Sequence, residues 1–198
     1  MPYSAKHMQM TRKKIIETAR ILFNRHGFNG VSIDMVMNEA GLTRGGFYNH
    51  FKNKEELFSE AIMSFLMGRG AEWREDAGID VKNLRPEMAQ HMINAYLSPE
   101  HLGDLDGQCP MIALPSDIAR GGVEAQKSFQ ILLKAMVSLF EANMTTDDKA
   151  NPQRAQAISA LCVGGMVLSR ALPDSDLAKN VRIAANQSAK FLLKQGQH

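Results

Sequence analysis

The sequence has little of what a secreted or membrane protein needs. Its 198 residues include two cysteines, too few for a disulfide framework, which favours a reducing compartment. The N-terminus lacks the apolar run of a secretory signal. The longest nearly apolar run, 157–168, is shorter than the roughly 20 residues of a membrane-spanning helix. We therefore expect a cytoplasmic protein with no membrane partner.

Signals for catalytic or metal chemistry are also nearly absent. No nucleophile–base motif, phosphate-binding loop or dinucleotide fingerprint occurs in the sequence. The stretch 104–107 resembles the start of a calcium loop, but the later ligands are missing. His91, His101 and Cys109 lack the spacing of metal ligands. We expect no catalytic residues, no metal and no cofactor, and thus no enzyme.

The charge is balanced overall but unevenly distributed. The formal net charge is +2. Residues 1–60 carry 9 basic and 6 acidic side chains, whereas the remainder carries 14 and 15. This split indicates a small basic module on a nearly neutral body, which is typical of a part that meets an anionic partner.

Strand signals are scarce and helical periodicity recurs along the chain, so the sequence predicts an all-α protein of about nine helices. The first spans about 10–26 and ends at Gly27. Arg12, Lys13 and Lys14 crowd its predicted N-terminus, where each cation opposes the helix dipole by about 0.3–1 kcal/mol. The cluster is either a solvated face or a site neutralised by an anion, and its unfavourable position favours the anion.

Two short helices and a longer one follow in a compact pattern. Ser32 is a good N-cap for the second helix and Thr43 for the third, with Gly41 in the tight turn between them. Asn53 begins a fourth helix, through a capping box, that extends to near Glu75. Two short helices joined by a tight turn that contains glycine form a helix-turn-helix.

The third predicted helix carries residue types that suit the major groove of DNA. Phe47 and Phe51 share its inner face, and Arg44, Gly45 and Asn49 lie on its exposed part. Arginine pairs bidentately with guanine and asparagine with adenine, and glycine admits a close approach. The alternative is a mere transition from loop to helix. One such motif covers few base pairs, so we expect a dimer on a two-fold-related site.

The stretch from Leu42 to Leu57 and the lead-in from Ile15 to Ile33 resemble the signature of the TetR family of bacterial transcription regulators. The resemblance covers about residues 10–58. It implies a tail at 1–9, an N-terminal three-helix DNA-binding domain at 10–55 and a helical ligand-binding and dimerisation domain at 56–198. The implied partners are double-stranded operator DNA, a small-molecule effector and a second copy of the chain.

The resemblance also assigns roles to single residues of the N-terminal part. Those expected to face bases are Thr43, Arg44, Gly45 and Asn49. Those expected to hold phosphate or sugar are Ser32, Tyr48, His50 and Lys54. The operator sequence does not follow from the resemblance.

The sequence of the C-terminal part indicates helices but gives less specific signals for function. Periodicity predicts five more helices. The first spans about 86–97, and the second begins after Cys109-Pro110 and is interrupted at Pro115. The other three run from after Gly122 to about 143, over 153–172, and from after Pro173 to about 194. Candidate residues for a pocket that takes a hydrophobic or aromatic molecule combine apolar bulk with a few polar atoms, although most of them are expected to be plain core. They are Phe65, Trp73, Met88, Met92, Tyr96, Ile112, Phe129, Leu133 and Met136.

The last two helices carry small residues that allow close helix packing. Those we expect at a dimer interface are Ala157, Ala160, Gly164 and Ala185. In the TetR family, the last two helices form a four-helix bundle with their counterparts in the partner chain, and a symmetric operator requires such a dimer. The alternative is close packing inside one chain.

Cys109 opens a predicted helix, where a thiol has a lowered pKa and reacts more readily if it is exposed. The stretch 107–110 is similar to a segment in one group of TetR-like regulators, some of which sense electrophiles or oxidants. The alternative is a small buried hydrophobic residue. Cys162 lies in an apolar run and is expected to be structural.

The sequence therefore predicts a transcription regulator, most simply a repressor that a small hydrophobic or aromatic molecule releases from its operator. A repressor that senses oxidants or electrophiles through Cys109 is the alternative within the same class. An enzyme or a nonspecific DNA-binding protein is the remote alternative.

Overall fold

The computed structural model describes residues 5–82, 86–144 and 149–195. Within these ranges the chain is all-helical, without a β-strand. The helices are α1 (Ala5–Gly30), α2 (Ile33–Glu39), α3 (Arg44–Phe47), α4 (Lys54–Met67), α5 (Arg69–Asp76), α6 (Pro86–Tyr96), α7 (Pro99–Gly103), α8 (Pro110–Ala113), α9 (Pro115–Arg120), α10 (Val123–Ala142), α11 (Asn151–Ala171) and α12 (Asp176–Gln195). The predicted fold class is confirmed. No helix in the described ranges combines the length and apolar character needed to cross a bilayer.

Several predicted boundaries agree with the structure. Ser32 caps α2 by accepting a hydrogen bond from the Met35 amide at 3.1 Å. Asn53 caps α4 in the same way, from the Glu56 amide at 2.8 Å. The described residues form more helices than predicted for two reasons. Short breaks divide two predicted helices, at Gly68 between α4 and α5 and before Pro115 between α8 and α9. In addition, α7 forms in a stretch where no helix was predicted. The predicted loop 145–152 lies outside the described residues over 145–148.

The first helix begins earlier than predicted, at Ala5 instead of Met10. Residues 5–9 contain neither glycine nor proline, so nothing in them opposes a helix. Arg12, Lys13 and Lys14 therefore lie about two turns inside α1, beyond the first turn where the helix dipole acts on a charge. The argument that they oppose the dipole was wrong for this reason.

A break near the end of α1 occurs at Gly27, as predicted. Its φ of 71° and ψ of 172° lie outside the helical region, and residues other than glycine rarely adopt this φ. A Cβ at this position would also lie 3.1 Å from Oδ2 of Asp117. Gly27 thus redirects the chain toward α2 and lets α9 approach the backbone.

The described helices form two compact units. The first comprises the chain up to Arg69 together with Leu105–Gln130, and the second comprises Gly70–Asp104 and the chain from Ile131 onward. The domain boundary that the resemblance implies at residue 55 differs from this division by packing.

The core of the first unit lies between α1 and α4. Ile15, Ala19 and Phe23 of α1 are fully buried. The ring of Phe58 on α4 lies 5.0 Å from that of Phe23 and 4.8 Å from that of Phe28. Aromatic pairs at these distances stabilise a core beyond the area that they bury.

Hydrogen bonds from α1 explain why residues 105–130 belong to the first unit. The Asn24 amide group donates to the Gln108 carbonyl at 2.8 Å. The Arg25 guanidinium binds both carboxylate oxygens of Asp106, and the buried Arg20 donates to the Asp106 carbonyl. Polar side chains near the end of α1 thus satisfy backbone carbonyls of the segment that precedes α8.

The second unit contains the long antiparallel pair α11 and α12, with α6 packed on α12. Ile158, Cys162 and Met166 of α11 are fully buried. Gly165 lets α12 approach closely, because a Cβ there would lie only 2.7 Å from the Cβ of Ala185.

Lys54 at the start of α4 stabilises the connection between α1 and α2. Its ammonium donates to the carbonyls of Phe28 and Val31, both at 2.9 Å. It also lies 4.0 Å from the centroid of the Phe28 ring, a cation–π contact. These carbonyls lie just after the break at Gly27, where the Phe28 carbonyl also accepts a long hydrogen bond, 3.5 Å, from the Val31 amide.

We expect Lys54→Ala to lower the free energy of unfolding by about 1–3 kcal/mol, because it removes two hydrogen bonds to a charged group. Urea denaturation without DNA measures this change. Lys52→Ala is the matched control, since Lys52 carries the same charge two residues away and its side chain is exposed. Equal stability of the two variants would contradict a structural role for Lys54.

Candidate nucleic-acid interface

The predicted DNA-contacting residues lie mostly on the surface around α3. Ser32, Thr43, Arg44, Gly45, Tyr48 and Asn49 are exposed, whereas His50 and Lys54 are half-buried. We call Thr43, Arg44, Gly45, Tyr48 and Asn49 the recognition surface. A Cβ added at Gly45 would meet no atom within 4 Å, so the chain leaves the space over this backbone open.

The recognition surface rests on two buried rings. Phe47 and Phe51 are almost completely buried, with their centroids 5.5 Å apart. Tyr48 packs edge-on against Phe47 at 5.2 Å but keeps 59% of its surface exposed. The phenol group therefore projects outward from a fixed base.

The third helix is shorter than predicted. It ends at Phe47, and residues 48–50 form a hydrogen-bonded turn that leads to Phe51. Two consecutive glycines, each costing about 1 kcal/mol in helix propensity, explain why it does not extend further. The Thr43 hydroxyl makes no capping hydrogen bond. Phe47 and Phe51 still point into the same core, because the Phe51 amide donates to the Phe47 carbonyl at 3.1 Å.

An ion pair on the recognition surface was not predicted from the sequence. Arg44 Nη1 donates to Oδ2 of Asp34 at 2.7 Å, and both side chains are exposed. Asp34 lies in the first turn of α2, where a carboxylate also interacts favourably with the helix dipole. The signal that could have indicated the pair is the placement of opposite charges in the first turns of consecutive helices.

The charge state of His50 is set by its surroundings. Partial burial, and next the nearby positive charge of Arg12, lower the pKa of His50 below its ordinary value. The imidazole is therefore mainly neutral at pH 7 and can offer a phosphate one N–H donor without a full charge.

Two of the basic residues near the interface are engaged inside the first unit. Arg12 pairs with both carboxylate oxygens of Glu60 and lies 4.6 Å from the centroid of the Phe51 ring. Lys54 is held by two carbonyls. Lys13, Lys14 and Lys52 are exposed, so these lysines and Arg44 supply the cations that can face a duplex.

The predicted pocket residues do not all belong to one compact unit. Phe65, Ile112 and Phe129 lie in the first unit, and Trp73, Met88, Met92, Tyr96, Leu133 and Met136 lie in the second. In the second unit, the ring of Trp73 lies 6.1 Å from that of Tyr96 and 4.8 Å from that of His101. His101 is buried in this cluster.

A cleft of about 820 Å³ lies in the first unit, and none of the predicted pocket residues line it. Several of its carboxylates are already occupied. Glu60 pairs with Arg12, Glu56 accepts from the Lys52 amide, and Glu124 pairs with Lys127. These three carboxylates therefore already have partners inside the chain. Among the described residues, no group of three or more His, Cys, Asp or Glu is arranged to hold a metal ion.

Both thiols are buried. Cys109 is 2% exposed and precedes the short α8 without a capping hydrogen bond from its side chain. Cys162 is fully buried, and burial raises its pKa far above the ordinary range. A reagent in solvent therefore has little access to either sulfur.

The predicted interface residues separate into two groups. Ala160 is exposed, and Ala157 and Gly164 are half-buried. Ala185 is buried and packs against Gly165 of the same chain. For Ala185, close packing inside one chain therefore replaces the predicted interface role.

Comparison with known proteins bears on the N-terminal part. Residues 15–61 match the bacterial regulatory proteins, tetR family. The Transposon Tn10 TetC protein of Escherichia coli is 40% identical over 65 residues, 33% of each chain. The HTH-type transcriptional regulator AcrR of Shigella flexneri is 44% identical over 52 residues, 26% of this chain and 24% of that one. The match thus covers a third or less of the length of these relatives.

The fold of the whole chain has a close counterpart among solved structures. A transcriptional regulator of the TetR family from Cytophaga hutchinsonii has a TM-score of 0.71 and is 21% identical, with 98% of each chain covered. At this identity the likeness concerns the fold alone. Residues 15–61 therefore form a helix-turn-helix part that matches the bacterial regulatory proteins, tetR family, in a chain whose all-helical fold is shared with a solved regulator of that family.

Proposed function

We propose that the chain is a sequence-specific DNA-binding regulator of transcription, acting as a repressor that a small hydrophobic or aromatic molecule releases. The observation that carries the proposal is the recognition surface. It presents guanidinium, amide, phenol and bare backbone groups, supported by the buried rings of Phe47 and Phe51. Such groups suit base edges and phosphates in a major groove. A protein bound over a promoter represses by excluding the polymerase from that DNA.

The proposed homodimer forms through α11 and α12. One face of α11 carries Ala157, Ala160, Gly164 and Leu168, and one face of α12 carries Leu177, Ala184 and Phe191. Leu168, Leu177 and Phe191 are 55–61% exposed. Exposed apolar side chains aligned with small residues are typical of a helix–helix interface. In this proposal Ala184 takes the place that the sequence had assigned to Ala185.

The proposed effector site uses the aromatic residues of the second unit. Trp73 and Tyr96 pack with His101, and apolar and aromatic linings with few polar groups favour a molecule of the same character. To release DNA, the effector must bind the DNA-free conformation more tightly than the DNA-bound one. Trp73 is the single tryptophan of the chain, so its fluorescence provides the signal for screening aromatic molecules.

The thiol-sensing alternative receives less support. A sensor cysteine needs access to its oxidant or electrophile, and Cys109 is 2% exposed. We therefore favour the small-molecule effector.

We expect Asn49→Ala to weaken binding to a duplex selected by the wild-type chain by about tenfold or more, because a bidentate contact to adenine discriminates by about 1–3 kcal/mol. Fluorescence anisotropy with the full chain measures it. Asn38→Ala is the control, since Asn38 is equally exposed at the end of α2 but outside the recognition surface. Wild-type affinity in Asn49→Ala, or no selection of any sequence by the chain, would contradict the proposal.

We expect Phe191→Glu to convert the protein to a monomer in sedimentation velocity, since it places a charge in the apolar face of α12. Ile183→Glu is the control, because Ile183 is also exposed on α12 but lies about 100° around the helix from the centre of that face. A dimer in Phe191→Glu, or dissociation by both substitutions alike, would contradict the proposed interface.

A further inference from the structure

We propose that Asp34 sets the base preference at one position of the operator by holding the guanidinium of Arg44. The inference rests on the proposed DNA-binding function and deepens it. Asp34 is then a positioning residue, which acts on the DNA through Arg44.

The geometry leaves Arg44 able to bind a base while it is held. The contact joins one guanidinium nitrogen, Nη1, to Oδ2 of Asp34 at 2.7 Å. Each Nη carries two N–H groups. The second N–H of Nη1 and those of Nη2 remain for the O6 and N7 acceptors of a guanine, which a planar fork binds in a bidentate manner.

The ion pair between Asp34 and Arg44 adds little to the stability of the fold. Both side chains are exposed, Arg44 by 64% and Asp34 by 46%, and exposed ion pairs contribute little to stability. A carboxylate on a surface that meets phosphates is electrostatically unfavourable for DNA affinity. Its contribution must therefore be to specificity, which it provides by orienting the fork.

Orientation matters here because Arg44 has little other support. It is the first residue of a four-residue helix that continues with two glycines, and a Cβ at Gly45 would meet no neighbour. A long side chain on such a backbone samples many rotamers. The Asp34 carboxylate restricts them, so less conformational entropy is lost when Arg44 binds a base.

The experiment selects binding sites from a randomised duplex library with the full-length chain. We expect the wild type to enrich a guanine at one position of each half-site, and Arg44→Ala to lose it. Asp34→Asn should reduce the preference at that same position by about fivefold or more, the lower end of what a bidentate pair provides. Preferences at the other positions should persist.

Glu39→Gln is the matched control, because it removes the same charge from an exposed position on the same helix; it should retain the guanine preference. Thermal melting checks that both variants are folded. Full preference at the Arg44-dependent position in Asp34→Asn would overturn the proposal, and so would an equal weakening at every position. If Arg44→Ala loses no position, Arg44 reads no base and the proposal fails. A wild-type chain that enriches no sequence overturns the proposed function itself.

Discussion

The burial of Phe47 and Phe51 is the constraint on which the recognition surface depends. A four-residue helix that contains two glycines has almost no stability of its own. The two rings fix the position of this helix, because they are buried in the core formed by α1, α2 and α4. The glycines that weaken the helix are the same residues that leave its outer backbone open. The two glycines therefore cause both the low stability of α3 and the accessibility of its backbone. The burial of Phe47 and Phe51 compensates for the low stability.

Much of the first unit was predictable from sequence because its signals are local. Ser32, Asn53 and Gly27 act through their own backbone and the next few residues, so caps and breaks followed from residue type and spacing. The length of α3 and the start of α1 were less predictable, because glycine propensity and the absence of a stop signal are weak indicators of where a helix begins or ends. The contacts of Lys54 do not follow from local signals. The resemblance assigned it a phosphate contact, but its position relative to Phe28 and Val31 depends on the packing of α4 against α1.

The cations of the first unit illustrate why a charge count overstates the charge available to a partner. Arg12, Arg20 and Arg25 pair with Glu60, Glu17 and Asp106. What remains for phosphates is a small set of exposed lysines near α3, together with backbone and hydroxyl donors. Affinity for DNA should therefore depend on salt through a small number of released counterions per subunit. Under this account, specificity comes from few residues, of which Arg44 and Asn49 are the most informative.

The most direct test of the account is hydrogen–deuterium exchange of the full chain with and without a duplex that it has selected. We expect slower exchange of the amides at 44–50, which lie at the proposed contact with DNA, and unchanged exchange in the buried parts of α11 and α12. Unchanged exchange at 44–50, with slowing confined to another part of the chain, would contradict the central claim that this surface binds DNA.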